Sequence, residues 1–470
     1  MYGPKWSSLS ALFTLVSSLS SVNARSATGD RVLVVLEPKV VKEDYSKFWS
    51  SLEKRGFELT FKGPKDESAV LQRYGEALYD HLIMFTPSVK SYANGLSPKE
   101  VISAQFAGLN TLYLLSSNIS EINRDTFREY DLEFAERDYT YLDAFSHSPG
   151  SSLAAPLLYP QSSLIKSGAV LSASTLTGGP IVFPGSTSFT LGQNPFLVEV
   201  AHGSKTGYVG ENRLVDADEA EVEAGLGKRD AASTTGKKAG LVAAMQTRDN
   251  VRIGFVASGS MFSDEWWGTE VELSSPKNVA VPSGNAAFAE DLTKWIFQET
   301  GVVKVISTTH HRKGELEQRE SYRIKDDLTF SISLAEHVTL PDGTSSWQGF
   351  ETPDLQLEFT MLDPHIRTSL SVDPARSDSK QTTYSKTFKA PDRHGVFKFV
   401  VEYWRSGYSY ISTSDTASVV PFRHDEYPRF ILGAWPFYSS AISMSAAFLL
   451  FCGLWVAVGE GDRKGKKKAE

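Results

Sequence analysis

Few side chains in this sequence combine the residue types and the spacing that catalysis requires. Ser258-Gly259-Ser260 follows an apolar run and comes closest to the G-x-S-x-G turn that presents a hydrolase serine, but that spacing is absent. His310 and His311 are adjacent, so on an extended strand they point to opposite faces and could hardly bind one metal ion together. Hydrogen bonds within the protein explain these histidines better. We therefore predict no catalytic residue and no metal ligand.

Two further stretches invite a binding interpretation. Asp264-Glu265-Trp266-Trp267 brings two carboxylates near two indoles, a composition that sugar sites often have, although a core or interface position for the indoles is the simpler interpretation. The first apolar run leads into Glu37-Pro38-Lys39, where a phosphate-binding loop would need GxGxxG or GxxxxGK[ST]. We therefore predict no cofactor.

The cysteine content and the net charge exclude several classes of protein. The only cysteine, Cys452, lies in a long apolar run near the carboxyl terminus. The rest of the chain therefore has no disulfide, no cysteine-based metal site and no thiolate nucleophile, which excludes the chemistry of amidotransferases. The net charge of −8 gives no reason to expect a nucleic-acid partner. A length of 470 residues allows two or three domains.

The elements that must position these residues begin with an α/β domain, which we expect to span residues 28–301. Short apolar runs of the kind found in strands buried on both faces alternate with segments of helical periodicity. The runs are 31–37, 81–85, 111–115, 239–245 and 251–257, and residues 57–61 alternate in polarity as a strand. This alternation predicts an open α/β sheet with helices on both faces.

Two of the predicted helices have clear signals. Ser97-Pro98-Lys99-Glu100 is a capping box that begins a helix, and Val101, Ile102 and Phe106 should face the sheet. A later helix should be ended by Gly301. Its buried face is predicted to comprise Phe288, Leu292, Trp295 and Ile296.

After Gly301 the pattern changes to extended segments with turn residues between them. Aromatic and β-branched residues alternate with polar ones, as in Val396–Trp404. We predict an antiparallel β-sandwich-like domain at residues 302–422. Within the first domain, residues 216–238 are acidic and then rich in Ala, Gly, Ser and Thr, which predicts an exposed, mobile insertion.

The carboxyl-terminal region has the composition of a membrane span. Between Arg429 and Glu460 there is no charged side chain, and Ala441–Val458 is almost wholly apolar. A helix of about 20 such residues crosses a hydrocarbon core of roughly 30 Å. We predict a transmembrane helix at residues 435–458. The tail at residues 459–470 is basic, which indicates the cytoplasmic side and leaves the preceding domains in the lumen.

The amino terminus agrees with this topology. Lys5 precedes the apolar stretch Leu9–Val16, and small residues at 22–24 have the form of a cleavage site. We predict a signal peptide at residues 1–24 and hence a single-pass type I membrane protein. In a lumenal chain Asn118-Ile119-Ser120 is the one N-x-[ST] sequon without proline, so Asn118 is a candidate N-glycosylation site.

Two short features would direct location and assembly. Lys467 and Lys468 stand at the third and fourth places from the carboxyl terminus, which is the form of a dilysine signal for retrieval to the endoplasmic reticulum; a lysine cluster that meets lipid phosphates is the alternative. In the membrane helix, small side chains along one face predict a packing surface for other helices. These are Ser439, Ser440, Ser443 and Ala447.

Short motifs along nearly the whole chain, in unbroken order, give a specific resemblance. They include residues 55–62, 74–80, 86–89, 310–312, 356–359, 363–364, 367–368, 395–397, 403–408 and 429–430. The sequence resembles the non-catalytic forty-eight-kilodalton (Wbp-type) subunits of the eukaryotic oligosaccharyltransferase complex. The insertion at residues 216–238 is where it departs most from that pattern.

This resemblance implies a role rather than a reaction. It implies an accessory subunit that supports the assembly and stability of the complex that transfers a lipid-linked oligosaccharide to Asn-x-Ser/Thr in the lumen of the endoplasmic reticulum. The implied partners are a catalytic multi-spanning subunit, a ribophorin-II-like subunit and a small Dad-type subunit. The main alternative is a stand-alone type I lumenal receptor or chaperone, and a stand-alone lumenal hydrolase comes third.

Overall fold

The computed structural model describes residues 25–147, 154–210, 235–272, 280–340, 343–362 and 365–465. The helices in these residues are α1 (Ser46–Lys54), α2 (Pro98–Phe106), α3 (Glu121–Arg128), α4 (Pro160–Ser163), α5 (Ala173–Thr177), α6 (Asn285–Ile296) and α7 (Trp435–Gly465). The predicted signal peptide, most of the acidic insertion, and Lys467 and Lys468 lie outside the described residues.

The strands that precede α6 belong to the first part of the chain. They are β1 (Arg31–Leu36), β2 (Glu58–Lys62), β3 (Gln72–Arg73), β4 (Glu76–Ala77), β5 (His81–Phe85), β6 (Asn110–Leu114), β7 (Leu132–Phe134), β8 (Thr140–Leu142), β9 (Leu157–Leu158), β10 (Ile181–Val182), β11 (Phe189–Leu191), β12 (Leu197–His202), β13 (Tyr208–Gly210), β14 (Gly240–Gln246), β15 (Arg252–Val256), β16 (Glu270–Glu272) and β17 (Ala280–Pro282).

Nine of these strands form one mixed sheet. Its order is β2-β1-β5-β6-β15-β14-β11-β7, and β12 also pairs with β14. The pairs from β2 to β15 are parallel, whereas β14, β11, β7 and β12 join antiparallel. Every residue of β5, β6 and β15 is buried, so both faces of the central sheet are covered. The predicted α/β sheet is confirmed, with an antiparallel half that its apolar runs did not reveal.

The helix α2 begins as predicted, but the residues on its buried face differ from those predicted. The Ser97 hydroxyl accepts the Glu100 backbone N–H at 3.4 Å. The helix buries Val101 and Gln105, but Phe106 is 77% exposed, so its predicted orientation is wrong. Phe106 lies five positions after Val101, about 140° round the helix, whereas Gln105 follows by four and stays on the buried face.

The helix α6 buries its predicted face but ends earlier than predicted. It ends at Ile296, and Gln298 takes the left-handed conformation with φ of +57°. Gly301, with φ of +67°, lies further on, where the chain enters the next strand. A β-carbon there would lie 2.2 Å from the Gly407 carbonyl oxygen, so close backbone contact explains this glycine.

One core histidine has a strongly shifted pKa. His81 is fully buried, and its ring lies 4.7 Å from that of Phe297 and 5.5 Å from that of Phe57. Its Nε2 atom lies 3.1 Å from the Gly29 carbonyl oxygen. Burial lowers the pKa of His81 to about 4, so the imidazole is neutral in the folded protein at neutral pH.

The second part of the chain consists of strands that build two five-stranded sheets. They are β18 (Val302–Arg312), β19 (Ser321–Arg323), β20 (Asp327–Thr339), β21 (Ser345–Gly349), β22 (Gln356–Thr360), β23 (His365–Ser369), β24 (Ser371–Val372), β25 (Thr382–Lys389), β26 (Gly395–Tyr403) and β27 (Ile411–Val420). One sheet has the order β18-β20-β25-β24 with β21 on β20, and the other β19-β27-β26-β22-β23. Both contribute to one apolar cluster that includes Ile332, Phe359 and Phe399.

The helix α7 has the length and composition of a membrane span. Residues Leu432–Val458 are strongly apolar, with a mean hydropathy of 2.1, and this apolar stretch is not buried against other described residues. Trp435 and Trp455 lie near the two ends of this stretch, where amphipathic rings favour the interface. A core helix of a soluble protein would be mostly covered, so this exposure favours the membrane.

Candidate functional site

The hydroxyls of Ser258 and Ser260 hold a neighbouring loop. Ser258 is fully buried, and its hydroxyl donates to the Pro184 carbonyl oxygen at 2.5 Å. The Ser260 hydroxyl donates to the same oxygen at 3.0 Å. Because both hydroxyls bond to one carbonyl, this arrangement joins two loops and does not present a nucleophile.

The two histidines on β18 have separate environments. His310 stacks on Phe399 with 4.6 Å between ring centroids, and its Nδ1 atom lies 2.7 Å from the Tyr322 hydroxyl. Burial lowers the pKa of His310, against the opposing effect of Asp415 at 3.4 Å. His311 Nδ1 instead lies 3.0 Å from a backbone carbonyl. In the part of the chain that the structure describes, no group of three His, Cys, Asp or Glu residues could hold a metal ion.

The acidic and aromatic stretch at residues 264–267 stabilises the start of α1. The Asp264 carboxylate accepts the backbone N–H groups of Ser46 at 3.1 Å and Lys47 at 2.8 Å, and the Ser46 hydroxyl at 2.6 Å. A carboxylate at a helix amino terminus satisfies N–H groups that lack a helical partner. Trp267 packs near Phe48, with 6.1 Å between ring centroids. These contacts account for the stretch by packing and capping.

The best-built polar arrangement is a buried arginine beside the segment that joins α6 to β18. The Arg252 guanidinium donates to the carbonyl oxygens of Trp295 at 2.8 Å, Thr300 at 2.7 Å and Gly301 at 2.7 Å. It also lies over the Trp295 ring, 4.7 Å from the centroid. Burial lowers the pKa of Arg252 to about 9. Such a buried cation is tolerated because its donors are satisfied by carbonyl dipoles.

The loop at residues 404–410, between β26 and β27, supplies the other side of this contact, and we call it the junction loop. The Trp295 indole N–H donates to the Gly407 carbonyl oxygen at 2.9 Å. Asn250 binds Tyr410 twice, through its amide N–H at 3.0 Å and its side-chain oxygen at 2.6 Å. The Trp404 ring stacks on Phe196 at 5.1 Å. The second part of the chain is therefore held to the first by specific hydrogen bonds that are buried or partly buried.

A buried ion pair reinforces the same region. Arg55 and Glu299 are 2.6 Å apart and almost fully buried, and Arg55 also donates to the Thr293 hydroxyl at 2.8 Å. Burial lowers the pKa of Arg55 and raises that of Glu299, and the charge of each residue acts against the shift of its partner. The Glu299 carbonyl oxygen lies 3.3 Å from Nδ1 of His337, on β20 in the second part of the chain. Removal of one partner would leave a buried charge unpaired.

The serine side chains of the candidate membrane helix have their hydroxyls satisfied within the helix. The Ser439, Ser440 and Ser443 hydroxyls donate to carbonyl oxygens three residues earlier, each at 2.9 Å. All three side chains and Ala447 are exposed. Hydroxyls paired in this way do not require a partner in lipid, so this face can offer close approach rather than hydrogen bonds.

The sequon asparagine lies just after β6. Asn118 is half-exposed, and its side-chain oxygen accepts the Arg137 Nε–H at 2.8 Å. The sequon hydroxyl of Ser120 is buried without a hydrogen-bond partner among the described residues.

The sequence contained two signals for the junction: Arg252, a charge at the start of an apolar run, and the Arg405–Tyr408 motif. Their spacing in the sequence did not predict that they lie close together in the fold.

Together these features define a class of protein: a sheet-rich α/β molecule with one candidate membrane helix, in which buried polar contacts join the first and second parts of the chain. Comparison with known families is specific. The family model described as OST48, N-terminal domain, matches residues 23–299, and the model described as OST48 middle domain matches residues 310–459. The chain belongs to the OST48 family, which confirms the resemblance seen in its motifs.

Relatives match over nearly their whole length. The protein named dolichyl-diphosphooligosaccharide--protein glycosyltransferase 48 kDa subunit of Caenorhabditis elegans is 31% identical over 96% of this chain and 96% of its own. The protein of the same name in Arabidopsis thaliana is 32% identical over 94% of this chain and 96% of its own length. The one in Danio rerio is 31% identical over 97% of this chain and 98% of its own length.

Proposed function

We propose that this chain is an accessory, non-catalytic subunit of an oligosaccharyltransferase complex and supports the assembly and stability of that complex in N-linked glycosylation. The observation that carries the proposal is the match to relatives named as the 48 kDa subunit over 94–97% of this chain. A full-length match of this kind covers both domains and the membrane helix, so it favours the same role.

The non-catalytic part of the proposal rests on the contacts of the candidate residues. The Ser258 hydroxyl is bound to a carbonyl, His310 is buried under Phe399, and Asp264 caps a helix. A catalytic group must reach a substrate, and the pKa of a general acid or base must lie near the working pH. None of these three side chains is placed for that task.

The architecture fits a supporting role. We propose that residues 28–301 and 302–422 are two lumenal domains, the second β-sandwich-like, and that the junction fixes their relative orientation through Arg252 and the junction loop. The helix at residues 435–458 then holds this pair at the membrane of the endoplasmic reticulum, with the tail at 459–470 in the cytoplasm. A subunit of this kind acts through its shape and its surfaces.

The proposed partners are a catalytic multi-spanning subunit, a ribophorin-II-like subunit and a small Dad-type subunit. The fully exposed membrane helix supports contact with other membrane-embedded chains. Ser443 and Ala447 on its small-residue face would let a neighbouring helix approach closely.

Co-purification after gentle detergent extraction tests membership of the complex. The tagged chain should bring down the other subunits in constant proportion, whereas a stand-alone receptor or chaperone would be recovered alone or with varied cargo. The chain isolated by itself should transfer no glycan to an Asn-x-Ser/Thr peptide. Its depletion should lower transfer in cells because the complex is lost. Transfer by the isolated chain would refute the non-catalytic assignment.

A further inference from the structure

A small polar crevice lies at the place where the parallel sheet changes direction. From β1 the chain goes to β2 on one side and later to β5 on the other, so the strand order reverses between β1 and β5. Ligands of open α/β sheets bind outside the carboxyl ends of the strands at such a point. Glu37 follows β1 and Ser88 lies three residues beyond β5, and both line the crevice.

The size of the crevice limits what it could hold. Its volume is about 210 Å³. Sites for drug-sized ligands measure roughly 300–1,000 Å³, so this one suits a single ring or a molecule of similar size. It is open to solvent along the edge that carries Asn118 and Lys39.

Its polar lining has acceptors and donors but no excess of one charge. The Glu37 carboxylate accepts the Ser88 backbone N–H at 2.9 Å and also the Ser88 hydroxyl. A carboxylate offers about four acceptor positions, so two remain for a ligand. The lining contains one acidic residue, Glu37, and one basic residue, Lys39, together with the half-exposed Ser116. This balance favours a neutral, hydroxyl-rich ligand over a phosphate or a cation.

The remaining lining of the crevice includes apolar and aromatic residues. Tyr45 and Phe85 form a T-shaped pair with 5.0 Å between centroids, and both rings are almost fully buried. Leu115 and Pro87 also line the crevice. A sugar ring has the matching chemistry, because its C–H groups pack on apolar side chains while its hydroxyls bind carboxylates and serines.

We propose that this crevice binds one neutral pyranose unit, with Glu37 accepting sugar hydroxyls. The inference does not rest on membership of a complex. The sugar could come from two sources, because Asn118 lines the crevice: the first residue of a glycan attached to Asn118 itself, or a sugar from another molecule. The shared chemistry is a neutral pyranose at the same place.

Saturation-transfer NMR on the full-length chain in detergent, purified with whatever subunits accompany it, tests the proposal. The probes are N,N′-diacetylchitobiose and methyl α-mannoside, with glucose 6-phosphate as the anionic comparison. We expect at least one neutral probe to bind the Asn118→Gln variant, which cannot carry a glycan, and the phosphate ester to bind more weakly.

Two adjacent serines provide a matched pair of variants. Ser116→Leu fills the crevice and should weaken binding of the neutral sugar at least tenfold. Ser117→Leu makes the same change at a half-exposed neighbour outside the crevice and should leave affinity within about threefold. If Ser116→Leu lowers the unfolding midpoint, Glu37→Gln is the second variant. The glutamine side chain retains an oxygen that can accept from Ser88, but it lacks the carboxylate, so this variant should still weaken sugar binding several-fold.

The glycosylated and unglycosylated chains distinguish the two sources. Binding only by Asn118→Gln, together with slow enzymatic removal of the native glycan from the folded chain, assigns the crevice to the attached sugar. Equal binding by both forms assigns it to a sugar from another molecule. The proposal is overturned if neither form binds a neutral probe, or if folded Ser116→Leu and Ser117→Leu bind it equally.

Discussion

Trp295→Ala should destabilise the chain more than most single substitutions. Trp295 is 1% exposed and is the largest fully buried side chain among the described residues. Truncation of a buried aromatic to alanine costs about 3–5 kcal/mol. It also removes the indole N–H that binds Gly407 and the ring beneath the Arg252 guanidinium. Such a loss is a large share of the roughly 5–15 kcal/mol that stabilises a typical domain.

Two further variants separate the causes of that loss. Trp295→Phe retains most of the packing but removes the N–H group, so it should cost about 1 kcal/mol through the unpaired Gly407 carbonyl. Phe106→Ala removes an aromatic that is 77% exposed, and it should change the free energy of unfolding by less than about 0.5 kcal/mol. We expect Trp295→Ala to destabilise the chain most, Trp295→Phe less and Phe106→Ala least.

The assay has two readouts. Denaturant unfolding of the full chain in detergent measures stability, and co-purification followed by a glycan-transfer assay measures the amount of complex and its activity. We expect Trp295→Ala to reduce the amount of assembled complex while transfer per assembled complex stays near normal. A variant that assembles fully yet loses transfer would place chemistry at this site, and a stability loss below about 1 kcal/mol would refute the packing argument.

Four other predictions concern topology, retrieval, membrane packing and pH. Protease added to sealed microsomes should remove only the last dozen or so residues, and digestion of the α/β domain would reverse the proposed orientation. A reporter with only this span and tail should stay in the endoplasmic reticulum, and Lys467→Ser with Lys468→Ser should release it; escape with both lysines intact would contradict the dilysine interpretation. Ser443→Leu or Ala447→Leu should weaken co-purification of partners without affecting insertion, whereas unchanged recovery in both would exclude this face. Between pH 6.5 and 4 the unfolded chain binds a proton at His81 more readily than the folded chain does. The free energy of unfolding should therefore fall by up to about 3 kcal/mol as the pH falls through that window. Denaturant unfolding of a His81→Gln variant should show a smaller fall.

Local patterns were sufficient for elements whose cause is local. The apolar runs at residues 31–37 and 81–85 correspond to β1 and β5, because an uninterrupted apolar strand requires cover on both faces. Phe106 shows the limit of this reasoning, since a hydrophobic residue at the end of a helix need not lie on its buried face. Gly301 shows a second limit, because its position depends on a backbone contact with Gly407, 106 residues further along the chain.

The junction could not be predicted from spacing. Trp295 and Gly407 are 112 residues apart, and Asn250 and Tyr410 are 160 residues apart. Arg252 stands at the start of an apolar run, where a charge indicates a strand end near solvent as readily as a buried site. Only the folded arrangement supplies the carbonyl oxygens that make its burial tolerable. The crevice at Glu37 has the same origin, because the strand order that creates it is a property of the whole sheet.

Arg252 holds the backbone of the segment that connects the two parts of the chain. Two of its three carbonyl partners belong to Thr300 and Gly301, in the short segment through which the chain passes from α6 to β18. The Ser409 backbone N–H binds the same Gly301 oxygen at 2.9 Å, so the junction loop and the guanidinium fix one connection from both sides. Separation of the two parts of the chain would break the Ser409 bond to Gly301 and the Trp295 bond to Gly407, which opposes hinge motion at this point. The junction therefore fixes the second part of the chain against the first, and residues 421–434 connect that second part to the candidate membrane helix.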